Sequence, residues 1–442
     1  MRSYPPIFFL TMFQLCVNIR VAHSESLNNV PEFPPKRLSG DQNFPTGHLQ
    51  PFGYQRAPDG PVKEYKPVLR PEVFWQEYVN RSIPLILLQG IGDSPALSTW
   101  TDHYLEKNYG NLDVLVELKK ENRSHSTRRM NMGDFLAHYK EDDIYVVTVL
   151  PDPMRREIQV PSCLLCGSFL DYIHETNFWM SSGGTRSVIH YDADHNLHCL
   201  VAGRKDFIMI EEKYHGDLYF FEKKPDSGSS FSGIDPNKID LKKYPNVANV
   251  PWTYATLMPG DCIYIPAEYI HQVRSYNRTI SATILFTSGP SPLAPFDPKG
   301  CEKETFDYTA LSEVNVHWTY NKGDALIEMG FMNIEVLRHS ILNTMRERNA
   351  ENFTKDIFIE FWNQHQEETI ENEEDNREKD PGAIFDWLDT QGKGIITKDE
   401  VIHFSKETLK KLARLIDPPH GPLADKKQNS VSVNEQMAHK EL

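Results

Sequence analysis

The stretch Ser187–Phe207, SVIHYDADHNLHCLVAGRKDF, carries three histidines and three aspartates inside a run that otherwise reads as buried strand. Alternate side chains of a strand share a face, so His190 and Asp192 project together while Tyr191 points away. A His-x-Asp pair offers a metal one imidazole and one carboxylate. One further histidine from a distant strand completes a facial triad with open coordination positions. The segment YIPAEYIHQV supplies His271, after the Pro259-Gly260-Asp261 turn and an apolar strand. Seventeen histidines make a lone H-x-D frequent by chance, so the surroundings decide. Ser187 lies three residues before His190, Asn196 six after it and Lys205 fifteen after it. An unpaired lysine in a strand-like run is costly to bury, and a bound dicarboxylate removes that cost. His195 has the wrong parity for the metal face, and it and His198 read as ordinary polar or packing residues.

Outward from this stretch, residues 180–290 carry short apolar runs separated by turns: SVIHYD, LHCLVAG, KDFIMIE, WTYATL, CIYIPA, HQVRSY and TISATILFTS. That spacing predicts an all-β barrel or sandwich. Upstream, RPEVFWQEYV, WTDHYLEKNYG and NMGDFLAHYKEDD read as helices, and IPLILLQ, LDVLVEL and IYVVTVL as strands. From about residue 303 the pattern turns helical. The fold class is a mainly β core with flanking helices and a C-terminal helical region.

The segments HYDADHNLHCLVAGRKDFIMI, SGIDPNKIDLKKYPNV and MPGDCIYIPAEYIHQV resemble the JmjC family in its cupin-like protein hydroxylase branch, which includes the asparaginyl hydroxylase that inhibits hypoxia-inducible factor. The resemblance covers roughly residues 65–300. It implies a double-stranded β-helix and an oxygenase that uses Fe(II) and 2-oxoglutarate to hydroxylate a protein or peptide substrate. By position it implies that His190, Asp192 and His271 hold the iron and that Lys205 binds the distal carboxylate of 2-oxoglutarate. Ser187 and Tyr145 fall where the family places hydroxyls on that carboxylate, and Asn196 where it places a polar residue beside the co-substrate. Where the hydroxylases often carry an asparagine on the strand after the last histidine, this chain has SATILF, and Thr283 is the nearest polar substitute. Two other classes compete. One is a JmjC-like binding protein that no longer turns over, favoured by Thr283. The other is a zinc hydrolase built on the same three ligands, disfavoured by Lys205. Histone demethylation shares the chemistry but conflicts with the compartment argued next.

Residues 1–24 read as a signal peptide, with Arg2, an apolar run Ile7–Val17 and a small-x-small site at Ala22–Ser24. That run is too short to span a bilayer. Sequons at Asn80, Asn122, Asn277 and Asn352 and a C-terminal HKEL, close to the K-D-E-L retrieval signals, point to a glycoprotein of the endoplasmic reticulum lumen, or to a secreted protein if HKEL is not read. The formal net charge of −15 excludes a general nucleic-acid binder. Five cysteines outside the signal peptide are an odd number, which argues against a disulfide framework. Cys163 and Cys166 in CLLC have redox-motif spacing without a βαβ context, so buried thiols or one local disulfide are expected.

The domain plan is a Pro/Gly-rich lead-in over 25–65, an oxygenase domain over 66–300, a helical extension over 301–366, an acidic linker over 367–380, an EF-hand-like segment over 381–417 and a polar tail over 418–442. Asp389 to Glu400 resembles a calcium loop, but Lys393 stands at its fifth position and repels a cation, so calcium is not expected as a ligand. The loop has no obvious partner hand in the sequence. The C-terminal helices are a candidate surface for a homodimer.

Overall fold

The computed structural model describes residues 31–36, 44–66, 68–119, 128–221, 229–303, 305–316, 334–365 and 380–416. The signal-peptide segment, Asn122, nearly all of the acidic run and the HKEL tail lie outside the described residues.

Thirteen strands form one mixed sheet. They are β1 (Gly60–Pro61), β2 (Lys63–Tyr65), β3 (Leu85–Leu87), β4 (Asp113–Leu118), β5 (Arg128–Asn131), β6 (Ile144–Val149), β7 (Ile173–Ser181), β8 (His190–Tyr191), β9 (His195–Ile210), β10 (Ser230–Phe231), β11 (Thr253–Leu257), β12 (Cys262–Ile265) and β13 (Ile270–Phe286). The bonded order is β2-β3-β12-β9-β13-β7-β6-β4-β5, with β11 also on β9 and β8 also on β13. The result is a jelly roll with helices against its outside.

Two long antiparallel strands, β9 and β13, run through both halves of the roll. Each was expected as two strands, and each is continuous across a local irregularity. β9 bends at Gly203, whose φ is +83°. An added Cβ there would overlap the carbonyl oxygen of Arg278 and the side chain of Thr279, so the close approach of the strands requires glycine. β13 shifts register between Tyr276 and Ile280, with Asn277 exposed at φ +56°. The SYNRT sequon therefore sits on a bulge within a strand and not in a turn between strands. Through these bends β13 pairs β8 with its first half and β7 with its second.

The described later part of the lead-in is docked on the roll. Phe52 is fully buried, Val62 nearly so, β1 pairs with β11, and β2 pairs with β3. Low periodicity hid this because the segment is anchored by isolated apolar side chains and edge pairing. Four cysteines are paired, which corrects the thiol reading: Cys166 with Cys301, and Cys199 with Cys262, which face each other across β9 and β12. Cys163 is the free, buried thiol among the described residues. The two cysteines of CLLC are thus not a redox pair, because Cys163 turns into the core and Cys166 reaches a residue 135 positions away.

Helices α1 (Asp102–Tyr109) and α2 (Met132–His138) flank the sheet. The C-terminal unit contains α3 (Ile334–Glu347), β14 (Asn352–Thr354), α4 (Lys355–His365), α5 (Pro381–Leu388), β15 (Ile395–Thr397), α6 (Lys398–Ile402) and α7 (Lys406–Ile416). Its apolar faces close on one another around Leu337, Phe353, Phe358, Phe385 and Leu412. β14 and β15 pair antiparallel, so the loop at 389–400 does have a partner, supplied by α3, β14 and α4. The sequence hid it because the partner's connection is too short to look like a calcium loop.

Candidate metal centre

β8 is only two residues long, yet it sets the site. His190 lies directly opposite His271 of β13, which places the two rings with centroids 4.1 Å apart. Asp192, two residues past His190, brings its Oδ2 to 3.7 Å from His271 Nε2. The ligand atoms of His190, Asp192 and His271 all lie within 4.8 Å of one another. Each imidazole is oriented from behind. His190 Nδ1 bonds the Val188 carbonyl and His271 Nδ1 the Tyr269 carbonyl, both at 3.0 Å. A protonated Nδ1 held this way leaves Nε2 as a lone-pair donor, which is the arrangement a metal-binding histidine needs. Burial pushes the His271 imidazole below its ordinary value, with His190 adding to the effect, and this favours the neutral form that a metal could bind. Asn196 Nδ2 donates to Asp192 Oδ2 at 2.7 Å and fixes that carboxylate. Two imidazoles and one carboxyl side chain with their ligand atoms grouped this closely fit a divalent iron with its other positions open.

Lys205 is buried. Its Nζ donates to Ser281 Oγ at 2.8 Å and to His198 Nε2 at 3.1 Å, and it stands 5.7 Å from the centre of the Trp179 ring. Among the described residues no carboxylate lies within ion-pair distance of it. Burial alone holds its ammonium down to about 7. The lysine donor makes His198 Nε2 an acceptor, so Nδ1 carries the proton toward Thr283 Oγ1 at 2.9 Å. Thr283 also accepts from Trp179 Nε1 at 2.9 Å. Burial, together with Lys205, keeps His198 well below its ordinary value and therefore neutral.

The residues singled out in the sequence thus fall into three groups. His190, Asp192, His271 and Asn196 come together. Lys205 and Thr283 meet through His198, which joins this network and is not a mere packing residue. Ser187 and Tyr145 form the third group: Ser187 Oγ accepts from Val273 N–H at 2.8 Å, and the Tyr145 hydroxyl donates to Glu117, its cross-strand neighbour, at 3.1 Å. His195 packs, with Nδ1 accepting from Ala267 N–H at 2.9 Å. Sequence reasoning missed Trp179, His198 and Ser281. The available signal was parity, since Ser281 and Thr283 are alternate polar residues in an apolar strand. It also missed Glu175 on β7. Burial raises that carboxyl to about 7 and Asp194 and Asp192 add to this, against a hydrogen bond from Asn177. Among the described residues one of its oxygens has no hydrogen-bond partner.

The description "Cupin-like domain" matches residues 71–291, half of the chain. The chain belongs to that family. The chain is similar to "Jumonji C domain-containing protein 5" of Drosophila melanogaster, 28% identical over 46% of this chain and 54% of that protein. "Lysine-specific demethylase 8" of Danio rerio is 25% identical over 53% of this chain and 63% of its own length. "Lysine-specific demethylase JMJ31" of Arabidopsis thaliana is 32% identical over 32% of this chain and 25% of its own. The chain spans about half to under two-thirds of the length of the first two relatives. No helix among the described residues is long and apolar enough to cross a membrane.

Proposed function

We propose that the protein is an Fe(II)- and 2-oxoglutarate-dependent oxygenase that hydroxylates a side chain of a protein in the lumen of the endoplasmic reticulum. The observation that supports this reading is Lys205, a buried ammonium with no carboxylate partner among the described residues, in the same roll as the His190, Asp192 and His271 triad. His190 and His271 would hold iron through Nε2, and Asp192 through a carboxylate that Asn196 orients. Lys205 and Ser281 would hold the far carboxylate of 2-oxoglutarate, with His198, Thr283 and Trp179 keeping the lysine in place. Iron with the oxoacid would supply the oxygen chemistry: of the two atoms of O2, one would enter succinate as 2-oxoglutarate loses CO2 and the other would convert a substrate C–H to C–OH.

Demethylation of lysine is the second reading, favoured by the names of two relatives. The compartment argues against histones as substrates. The two disulfides support folding in an oxidising environment, as the apparent signal peptide and HKEL do. Asn80 and Asn277 are exposed and suit glycosylation, whereas Asn352 is half-buried in β14.

The test joins two measurements. Protein purified without oxygen and loaded with Fe(II) is expected to convert 2-oxoglutarate to succinate, and a lumenal peptide pool is expected to gain single oxygen atoms. Loss of methyl groups from methyl-lysine peptides, with no oxygen retained, would favour the demethylase. Endoglycosidase digestion with and without residues 439–442 tests the compartment. A mass shift with tail-dependent retention is expected, and an unglycosylated cytosolic protein would return methylated histones as substrates.

A further inference from the structure

The C-terminal unit builds one pattern twice. α3 and α4 flank a connection that ends in β14. α5 and α6 flank the loop Asp389–Glu400, which contains β15, and Phe353 faces Ile396 where the two strands pair. A twelve-residue calcium loop places ligands at positions 1, 3, 5, 7, 9 and 12, with glycine at 6 for the sharp turn. Here those positions are Asp389, Gln391, Lys393, Ile395, Thr397 and Glu400, and Gly394 takes the sixth with φ +72°. Asp389 Oδ2 accepts from Gly394 N–H at 2.5 Å, so the first residue anchors the turn. The twelfth position, where a glutamate would grip calcium with both oxygens, is gripped instead by the chain itself. Both oxygens of Glu400 lie 2.8 Å from Lys393 Nζ, and Gln391 Nε2 donates to the same carboxylate at 3.2 Å.

We propose that the Lys393 ammonium is the resident cation of this loop, and that the C-terminal unit is therefore a calcium-independent brace on the oxygenase domain. The charges agree with this. Asp389 and Glu400 supply two negative charges and Lys393 one positive, so an entering divalent ion would have to displace a bound ammonium and share the space with it. Lys393, followed by the backbone N–H of Thr397, holds the Glu400 carboxyl down to about 2. The same Glu400 forms a capping box with Thr397 that starts α6, so the ammonium holds the side chain that fixes where α6 begins. The partner connection, residues 348–354, is too short to form a calcium loop of its own.

The braced surface is specific. Lys406 at the start of α7 pairs with the buried Asp113 of β4 and donates to Asn131 Oδ1 at 3.2 Å. His339 of α3 sits 3.0 Å from Asp152 in a fully enclosed group with Arg155, and Arg346 Nη2 donates to the Ser312 carbonyl at 2.7 Å.

The experiment uses the full chain and reads melting temperature and calorimetric heat with CaCl2, against MgCl2 at equal ionic strength. The wild type is expected to show no calcium-dependent rise and no binding heat. The Gln391→Asp/Lys393→Asp double variant is expected to melt lower without calcium and to recover with it, with binding heat. Lys393→Met is expected to fold and to melt lower than wild type. Three results would overturn the proposal: a calcium-dependent rise in the wild type, a natively folded double variant indifferent to calcium, or a Lys393→Met protein as stable as wild type.

Discussion

Two lysines in this molecule stand at ion sites and behave in opposite ways. Lys205 is buried in the roll, its ammonium held by a hydroxyl and an imidazole and by no carboxylate among the described residues. Lys393 is a third exposed on the C-terminal loop and held by both oxygens of Glu400. The first charge is incomplete until an anion arrives, and burying it so costs stability. The second is complete within the chain and leaves no place for a ligand. On the proposed function, the unmet charge is where a ligand would act and the met charge is structural.

The comparison can be broken most severely at the metal. His190→Ala or Asp192→Ala removes one of three proposed ligands from a site with no substitute of matching geometry among the described residues. Fe(II) binding and succinate formation are expected to fall more than about a hundredfold, with the melting temperature nearly kept. Metal analysis and turnover check this. Asp194 is the nearest rival carboxylate, and Asp194→Ala is expected to retain iron.

Lys205→Ala comes next. A charge-assisted contact is worth about 1.5–3 kcal/mol, so the 2-oxoglutarate requirement is expected to rise about tenfold or more with iron binding unchanged. Lys205→Met sharpens the point. It removes a buried, unpaired ammonium, so the ligand-free protein is expected to melt higher than wild type while binding the oxoacid worse. A lysine that was already satisfied would give the reverse.

Gly203→Ala tests the bend that brings Lys205 to His198 and Ser281. The positive φ and the overlap with Arg278 are expected to cost about 1–3 kcal/mol, read as a lower denaturant midpoint.

Acidity gives a smaller effect. The folded ammonium of Lys205 has its value lowered to about 7 from the ordinary 10.5. The unfolded chain binds that proton more tightly, so between pH 7 and 10.5 this group adds stability to the ligand-free protein as pH rises. Binding of an anion favours the protonated form, so affinity for 2-oxoglutarate is expected to weaken about fivefold from pH 7 to pH 8. Calorimetry across that range checks it, and Lys205→Arg, charged throughout, is expected to flatten the dependence.

The smallest effect belongs to Lys393. A partly exposed pair contributes up to about 1 kcal/mol after screening, and Glu400 also caps α6, so Lys393→Met is expected to lower stability slightly but measurably and to leave turnover alone.

Much of the site was legible in the sequence because strand parity is local. His190 and Asp192 share a face by alternation, and Lys205 announced itself as a charge in an apolar run. What parity could not carry across a bend stayed hidden. Gly203 and the bulge at Asn277 change which residues meet, so Lys205 reaches Ser281 and His198 although its backbone partners are Leu257 and Ser275. The disulfides were hidden for a related reason: Cys199 and Cys262 become neighbours only when β9 and β12 pair. The docked lead-in was missed because Phe52 and Val62 are single anchors with no period.

Succinate formation from 2-oxoglutarate by anaerobically purified, Fe(II)-loaded protein exposed to oxygen tests the central claim most directly, with Asp192→Ala and Lys205→Ala measured alongside. The account expects iron-dependent succinate in the wild type, none in Asp192→Ala, and in Lys205→Ala turnover restored only at raised 2-oxoglutarate. A wild-type protein that binds iron through the triad yet neither binds nor consumes 2-oxoglutarate would contradict it.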